Sequence, residues 1–189
     1  MVFSINSAIM IARGFSMNDH FLNEWLETNQ EGSYASSTIA SLNTRKYHGL
    51  LVSHNPDLGG DYVLLSKLEP SIFLDEKEFN LGVNRYPGTI NPQGHKYIES
   101  FSALPFPQTI YEIKEAGIKV AQEIQMPLGK NGILIRFRIL KTPKPIKLRL
   151  YPLLAFRNIH TMTKSNLSLN PRVEKITDKL TVYKLHPYP

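Results

Sequence analysis

The residues best suited to chemistry lie in two short windows near the start of the chain. One is Glu24-Trp25-Leu26-Glu27-Thr28-Asn29. The other is Thr44-Arg45-Lys46-Tyr47-His48-Gly49, which runs directly into the apolar Leu50-Leu51-Val52. Together they hold the single tryptophan of the chain and an Arg, a Tyr and a His within four positions. Planar polar groups that reach hydroxyls, beside an aromatic ring that covers an apolar face, are what a site for a neutral sugar requires. In an extended backbone Arg45 and Tyr47 share one side and Lys46 and His48 the other, whereas in a loop all four can converge. The same residue types also stabilise turns, with Arg45 on a carboxylate and His48 buried at a strand entrance. Trp25 and Asn29 carry the same two readings, a stacking platform with an amide or a core indole with a turn amide.

Two later windows repeat these types. Asn84-Arg85-Tyr86 and Asn91-Pro92-Gln93-Gly94-His95 fall in a stretch rich in Pro and Gly that reads either as a lid or domain-docking surface, with Gln93 as its candidate substrate-binding or docking residue, or as a long hairpin loop with ordinary turn chemistry. Phe156-Arg157-Asn158-Ile159-His160 closes a strand, with Arg157 and His160 as its candidate polar contacts. The six histidines, at 20, 48, 54, 95, 160 and 186, show no metal-ligand spacing. No phosphate loop, dinucleotide fingerprint or nucleophile elbow is present. Glycosidic hydrolysis needs two placed carboxylates. Glu24, Glu27, Glu69 and Glu99 exist, but no spacing marks a pair, so no catalytic residue is assigned. No metal and no cofactor is expected.

The elements that must position these groups are read from periodicity. Ile118, Val120, Ile124 and Met126 alternate with Lys119, Glu123 and Gln125, and Ile133, Ile135, Phe137 and Ile139 alternate with Arg136 and Arg138. That is the period of two of a half-buried strand. Leu148 and Leu150, and later Leu180 and Val182, continue it. Strands are also predicted at Leu50 to Ser53 and Tyr62 to Leu68. Hairpins are predicted about Asp75-Glu76-Lys77 and about Lys114-Glu115-Ala116-Gly117. Tyr86 to Pro107 reads as one long loop. His20 to Leu26 fits either a short helix or a strand around Glu24 to Glu27. Thirteen prolines oppose long helices. The expected fold is all-β, a large antiparallel two-sheet β-sandwich, with 1–20 as a lead-in and 21–189 as the domain.

Composition narrows the classes. An apolar fraction of 42% in 189 residues supports a hydrophobic core. The net charge of +6 is scattered rather than clustered, so neither a nucleic-acid nor a membrane partner is expected. The absence of cysteine fits a reducing, cytoplasmic setting. The N-terminus lacks the basic start of a signal peptide, and no apolar run has the length of a spanning helix.

Several ordered motifs carry a resemblance. They are the two opening windows, Leu64-Leu65-Ser66-Lys67-Leu68-Glu69, Asn91-Pro92-Gln93-Gly94, Tyr97-Ile98-Glu99-Ser100-Phe101, Pro105-Phe106-Pro107, and Pro152-Leu153-Leu154-Ala155-Phe156-Arg157 with His160. From about residue 20 onward the chain resembles the N-terminal domain of archaeal and bacterial glycogen debranching enzymes. The resemblance implies a supersandwich of the galactose-mutarotase kind, placed before an α/α-toroid. That toroid holds the acid and base that hydrolyse the α-1,6-linked glucose of a branch point. It further implies an α-glucan (glycogen or limit dextrin) and a C-terminal catalytic domain as partners. The chain stops at Pro189, where such a sandwich would be finishing, so the expectation is an accessory domain without catalytic residues. Arg45, Tyr47 and His48 would stand at its junction with the toroid, supported by Trp25 and Asn29. Two departures touch the sugar-facing loop: Gln30-Glu31-Gly32-Ser33 replaces a glycine-rich run, and Ser37 stands where the family has glycine. The alternatives are a stand-alone carbohydrate-binding module and a purely structural sandwich.

Overall fold

A computed structural model describes residues 21–164, 172–177 and 182–185. Among the described residues, fourteen strands account for the regular structure, joined by three short 3-10 turns at Pro56–Leu58, Gly94–Tyr97 and Lys114–Ala116. The first sheet carries β1 (Glu24–Thr28), β2 (Tyr34–Thr38), β3 (Gly49–Asn55), β4 (Gly60–Leu74) and β12 (Lys147–Asn158) in that spatial order, with β5 (Lys77–Asn80) on the far end of β4. The second orders β11 (Leu134–Lys141), β10 (Ile118–Gln125), β9 (Gln108–Ile113) and β8 (Ile98–Ser102). Two ribbons complete the set, β6 (Val83–Tyr86) with β7 (Thr89–Gln93), and β13 (Val173–Thr177) with β14 (Val182–Leu185). All pairings are antiparallel, and the fold is an all-β sandwich.

The core lies between the two large sheets. Trp25, Ala35, Leu50 and Leu68 of the first meet Phe101, Ile124 and Met126 from the second. Farther along, Ile72, Phe79 and Leu81 meet Tyr111, Ile113, Ile118 and Val120. Burial of such side chains contributes roughly 1.5–3 kcal/mol each, and the pleat delivers them because alternate residues face the same way. Strand β9 shows this plainly, with Thr109, Tyr111 and Ile113 inward.

The alternation expected of 118–126 and 133–139 is present with two changes. Ile139, expected on the buried face, is 55% exposed near the end of β11. Glu123, assigned by parity to the polar face, is buried. It stands opposite Arg136 across β10 and β11, and its carboxylate takes Arg138 Nε at 2.8 Å, Gln108 Nε2 at 2.9 Å and Arg136 Nη1 at 3.4 Å. Three donors satisfy the acid while the arginine stems shield it.

Two expectations are corrected or decided. The ambiguous start is strand β1, in register with β2 from Glu24 opposite Thr38 to Thr28 opposite Tyr34. Tyr86 to Pro107 is not one long loop. It holds β7, the 3-10 turn Gly94–Tyr97 and β8. Prolines obscured these short elements. Pro92 sits in a ribbon strand whose only partner is β6, so its missing N–H breaks no ladder. Gly88 at φ +76° forms the hairpin turn. Leu180, read as part of a strand with Val182, lies outside the described residues, whereas Val182 opens β14.

Gly94 seats this region. Its N–H bonds to Gly82 O at 2.9 Å, and a Cβ added there would stand 2.1 Å from the backbone carbonyl of Leu81. Backbone at that distance cannot yield as a side chain would. Gly94→Ala is therefore expected to lower the unfolding free energy by at least about 2 kcal/mol in urea denaturation, the upper part of the overpacking range. An unchanged midpoint would show that the turn has room the structure does not give it.

Candidate functional site

The segment Thr44 to His48 is a tight turn between β2 and β3, closed by His48 N–H to Arg45 O at 3.1 Å. Its base is locked by Asn43, whose Nδ2 donates to Ser66 O at 2.9 Å and whose Oδ1 accepts from Ser37 Oγ at 3.1 Å. Gly49 then opens β3 where a Cβ would lie 3.0 Å from methyls of both Val52 and Val63, tighter than nearly all real contacts. The chain can reverse there only because the residue is small.

The turn sends its side chains two ways. Arg45 and His48 converge on Glu24 of β1. Arg45 Nε stands 2.6 Å from Glu24 Oε1, and His48 Nε2 lies 3.4 Å from the same oxygen without the alignment of a hydrogen bond. The His48 ring is buried, and its Nδ1 accepts from Thr44 N–H at 3.2 Å. Burial holds the imidazole below its ordinary pKa, against the pull of Glu24 and with help from the Arg45 charge. A neutral ring accepting at Nδ1 carries its proton on Nε2, toward Glu24. Arg45 itself remains 66% exposed, so this pair orders the turn more than it stabilises the fold.

Tyr47 and Lys46 go the other way, toward the end of β12. Tyr47 meets His160 edge to face with ring centres 5.9 Å apart, and its hydroxyl lies 3.5 Å from His160 Nδ1. Lys46 Nζ sits 5.0 Å from the Tyr47 ring centre and 3.4 Å from His160 O. Arg157 is the brace between the two segments. Its Nη2 donates to Lys46 O, and its Nη1 reaches Thr161 O at 3.0 Å and Asn158 O at 3.3 Å. Tyr34 adds a hydroxyl bond to Tyr47 O at 2.9 Å. Arg157 can reach across because β12 bulges against β4 between Leu154 and Arg157, with Phe156 at φ +48°. The result is an exposed shelf of Arg45, Lys46, Tyr47 and His160 on a rigid base.

The remaining candidates are placed apart from that shelf. Trp25 is buried in the core, and its indole N–H goes to Thr38 O at 3.2 Å. Asn29 is buried as well. Its Oδ1 accepts from Glu31 N–H at 2.8 Å and Ser33 N–H at 3.0 Å, and its Nδ2 donates to Lys130 O at 3.2 Å. Both residues therefore act from beneath the surface, as a core indole and a turn amide. Gln93 lines a separate cleft beside the β6–β7 ribbon. Where glycines were expected, Gln30 takes φ +65° and Gly32 φ +93°. Ser33 and Ser37 keep ordinary φ and use their hydroxyls as ties to Asn131 and Asn43.

A family model described as glycogen debranching enzyme N terminal matches residues 23–189. The chain belongs to that family. No curated protein and no solved structure shows significant similarity to it. As a debranching-enzyme N-terminal domain, it carries no group of three His, Asp or Glu arranged to hold a metal among the described residues. Nor is any helix of those residues long and apolar enough to cross a membrane.

Residue types and spacing did not single out Glu24, Tyr34 or the bracing role of Arg157. Glu24 is 21 positions from Arg45, and Arg157 is 111 from Lys46. No local pattern links such pairs.

The depressed His48 gives a signed pH effect. The unfolded imidazole, near 6.5, takes up a proton before the folded one does. Stability from the neutral ring is present above that value and is lost as pH falls through the lower folded one. The thermal midpoint of the wild type should drop between about pH 7 and 5 more steeply than that of His48→Gln. Parallel slopes would remove His48 as the titrating group.

Proposed function

We propose that this domain is the N-terminal accessory part of a glycogen-debranching α-1,6-glucosidase of the archaeal and bacterial type, acting in the cytoplasm. It docks on a helical α/α-toroid catalytic domain and lends two turns, Thr44 to His48 and Asn158 to Thr161, to the glucan cleft. The catalytic acid and base belong to the toroid.

One observation carries this reading: the exposed shelf of Arg45, Lys46, Tyr47 and His160 is braced from below by Glu24 and Arg157. Exposed polar and aromatic groups on a fixed backbone suit sugar hydroxyls and the apolar face of a pyranose. Arg45 engages Glu24 through its Nε, which leaves the outer edge of its exposed guanidinium for a hydroxyl or for a carboxylate of the partner domain. Clefts at domain junctions are a favoured place for ligands.

A purely structural role is the second reading. It is favoured by Arg157, whose guanidinium is directed to backbone carbonyls rather than outward. The two readings separate in the full-length enzyme. Tyr47→Ala and Arg45→Ala should each lower kcat/KM on limit dextrin by about tenfold, the loss of one good contact, with the thermal midpoint nearly unchanged. Arg157→Ala should instead lower stability. Wild-type debranching and domain association in both Tyr47→Ala and Arg45→Ala would leave only the structural role.

A further inference from the structure

Away from the shelf, a cleft of about 680 Å³ opens between the β6–β7 ribbon and the 3-10 turn that follows it. Its size falls within the range of small-molecule sites. Arg85, Tyr86, Ile90 and Gln93 of the ribbon and Lys96 of the turn line it, and Phe21 contributes apolar surface. No carboxylate lines it. Arg85 and Lys96 are exposed and make no ion pair among the described residues, whereas Lys119, Arg138, Lys144 and Arg149 each reach a carboxylate. Two cations without an ion pair line one concavity and give it a positive potential, with Lys96 also bordering the hollow that holds Glu112 and Glu115. Tyr86, 54% exposed, adds an aromatic face at the rim.

The walls are fixed from behind. Lys67 of β4 is buried, donates to Val83 O, and reaches Asn84 Oδ1 at 2.7 Å and Glu69 Oε1 at 3.1 Å. Asn84 Nδ2 returns a bond to Glu69 at 2.7 Å. This closed Lys-Glu-Asn network pins β6 directly beside Arg85. A buried ion pair adds little stability over an apolar core, and here its bonds tie β6 to β4. The opposite wall is fixed by the contact of Gly94 with the Leu81 backbone. The cationic groups thus project from two rigid supports, as a preorganised binding site requires.

We propose that this cleft binds a phosphate monoester on a hexose, with Arg85 and Lys96 on the phosphate and Gln93 and Tyr86 on the sugar. A guanidinium fork matches phosphate oxygens, and an ammonium adds a point charge. An amide and a ring face serve the hydroxyls and the carbon skeleton. The phosphate arises either from a free sugar phosphate or from phosphate borne on an α-glucan. This site is separate from the Arg45–Tyr47 shelf and does not depend on its role.

Calorimetric titration of the 189-residue chain tests it with glucose 6-phosphate, a phosphorylated maltooligosaccharide, glucose and inorganic phosphate. The expected result is that one or both phosphorylated sugars bind at least about tenfold more tightly than glucose or phosphate alone, the increment of a charge-assisted hydrogen bond. Binding of the free ester assigns the small-molecule source, and binding of the oligosaccharide alone assigns the polymer. Arg85→Glu and Lys96→Ala, both surface changes, should each weaken that binding at least about tenfold, while Lys144→Ala, an exposed cation that lines neither site, leaves it intact. Three results would each overturn the proposal: no preference for the phosphorylated sugars, inorganic phosphate binding as tightly as they do, or unchanged affinity in Arg85→Glu and Lys96→Ala. None of them bears on debranching by Tyr47→Ala and Arg45→Ala.

Discussion

Backbone pairing along β4 is the constraint from which the surface of this domain hangs. This fifteen-residue strand, Gly60 to Leu74, pairs with β12 from Tyr62 to Phe73, with β3 from Gly60 to Leu65 and with β5 from Ser71 to Leu74. A buried strand cannot leave its N–H and C=O groups unpaired, so its neighbours are held in register. The turn that carries Arg45, Lys46, Tyr47 and His48 leads into β3, and the turn that carries His160 leaves β12. β3 and β12 run in the same direction, and the two turns meet because β3 enters near Leu65 of β4 while β12 ends opposite Tyr62. Farther along, Lys67 and Glu69 of β4 reach sideways to hold β6.

Polar residues in this fold mostly point to backbone. Asn29, Asn43, Arg157 and Lys67 each bond main-chain atoms of a distant segment. Such contacts satisfy carbonyls and amides that loops would otherwise leave unpaired, and they replace mobile turns with rigid ones. The exposed groups then occupy fixed positions without contributing much to stability themselves. Two irregularities support the arrangement. The β12 bulge, with Phe156 at positive φ, turns Arg157 toward Lys46, and the left-handed Gln30 lets the β1–β2 loop close on Asn29.

The strand pattern is largely legible in the sequence. The alternation of Ile118 to Met126 and of Ile133 to Phe137, and the turns at Asp75 and Gly117, are local signals, and the structure reproduces them up to Ile139, which is exposed. Tyr86 to Pro107 was misjudged because its strands are short and rich in proline, and a ribbon strand tolerates what a central one does not. Parity assigned Glu123 to solvent, and only the arginines of the neighbouring strand explain its burial. The Arg45-Tyr47-His48 window was visible as a cluster, but its division between Glu24 and His160 was not.

Sequence alone determined the class of fold, the placement of most strands and the types of group gathered at the turns. Those properties depend on neighbours two to six residues apart, through the pleat and through turn chemistry. Tertiary structure decided which groups stay free. Trp25 and His48 are buried, Arg157 becomes a brace, Tyr47 and His160 remain exposed, and Arg85 and Lys96 face a common cleft. Each outcome depends on which distant carbonyl, carboxylate or apolar surface the register of β4 and its partners brings alongside, and no local spacing encodes that.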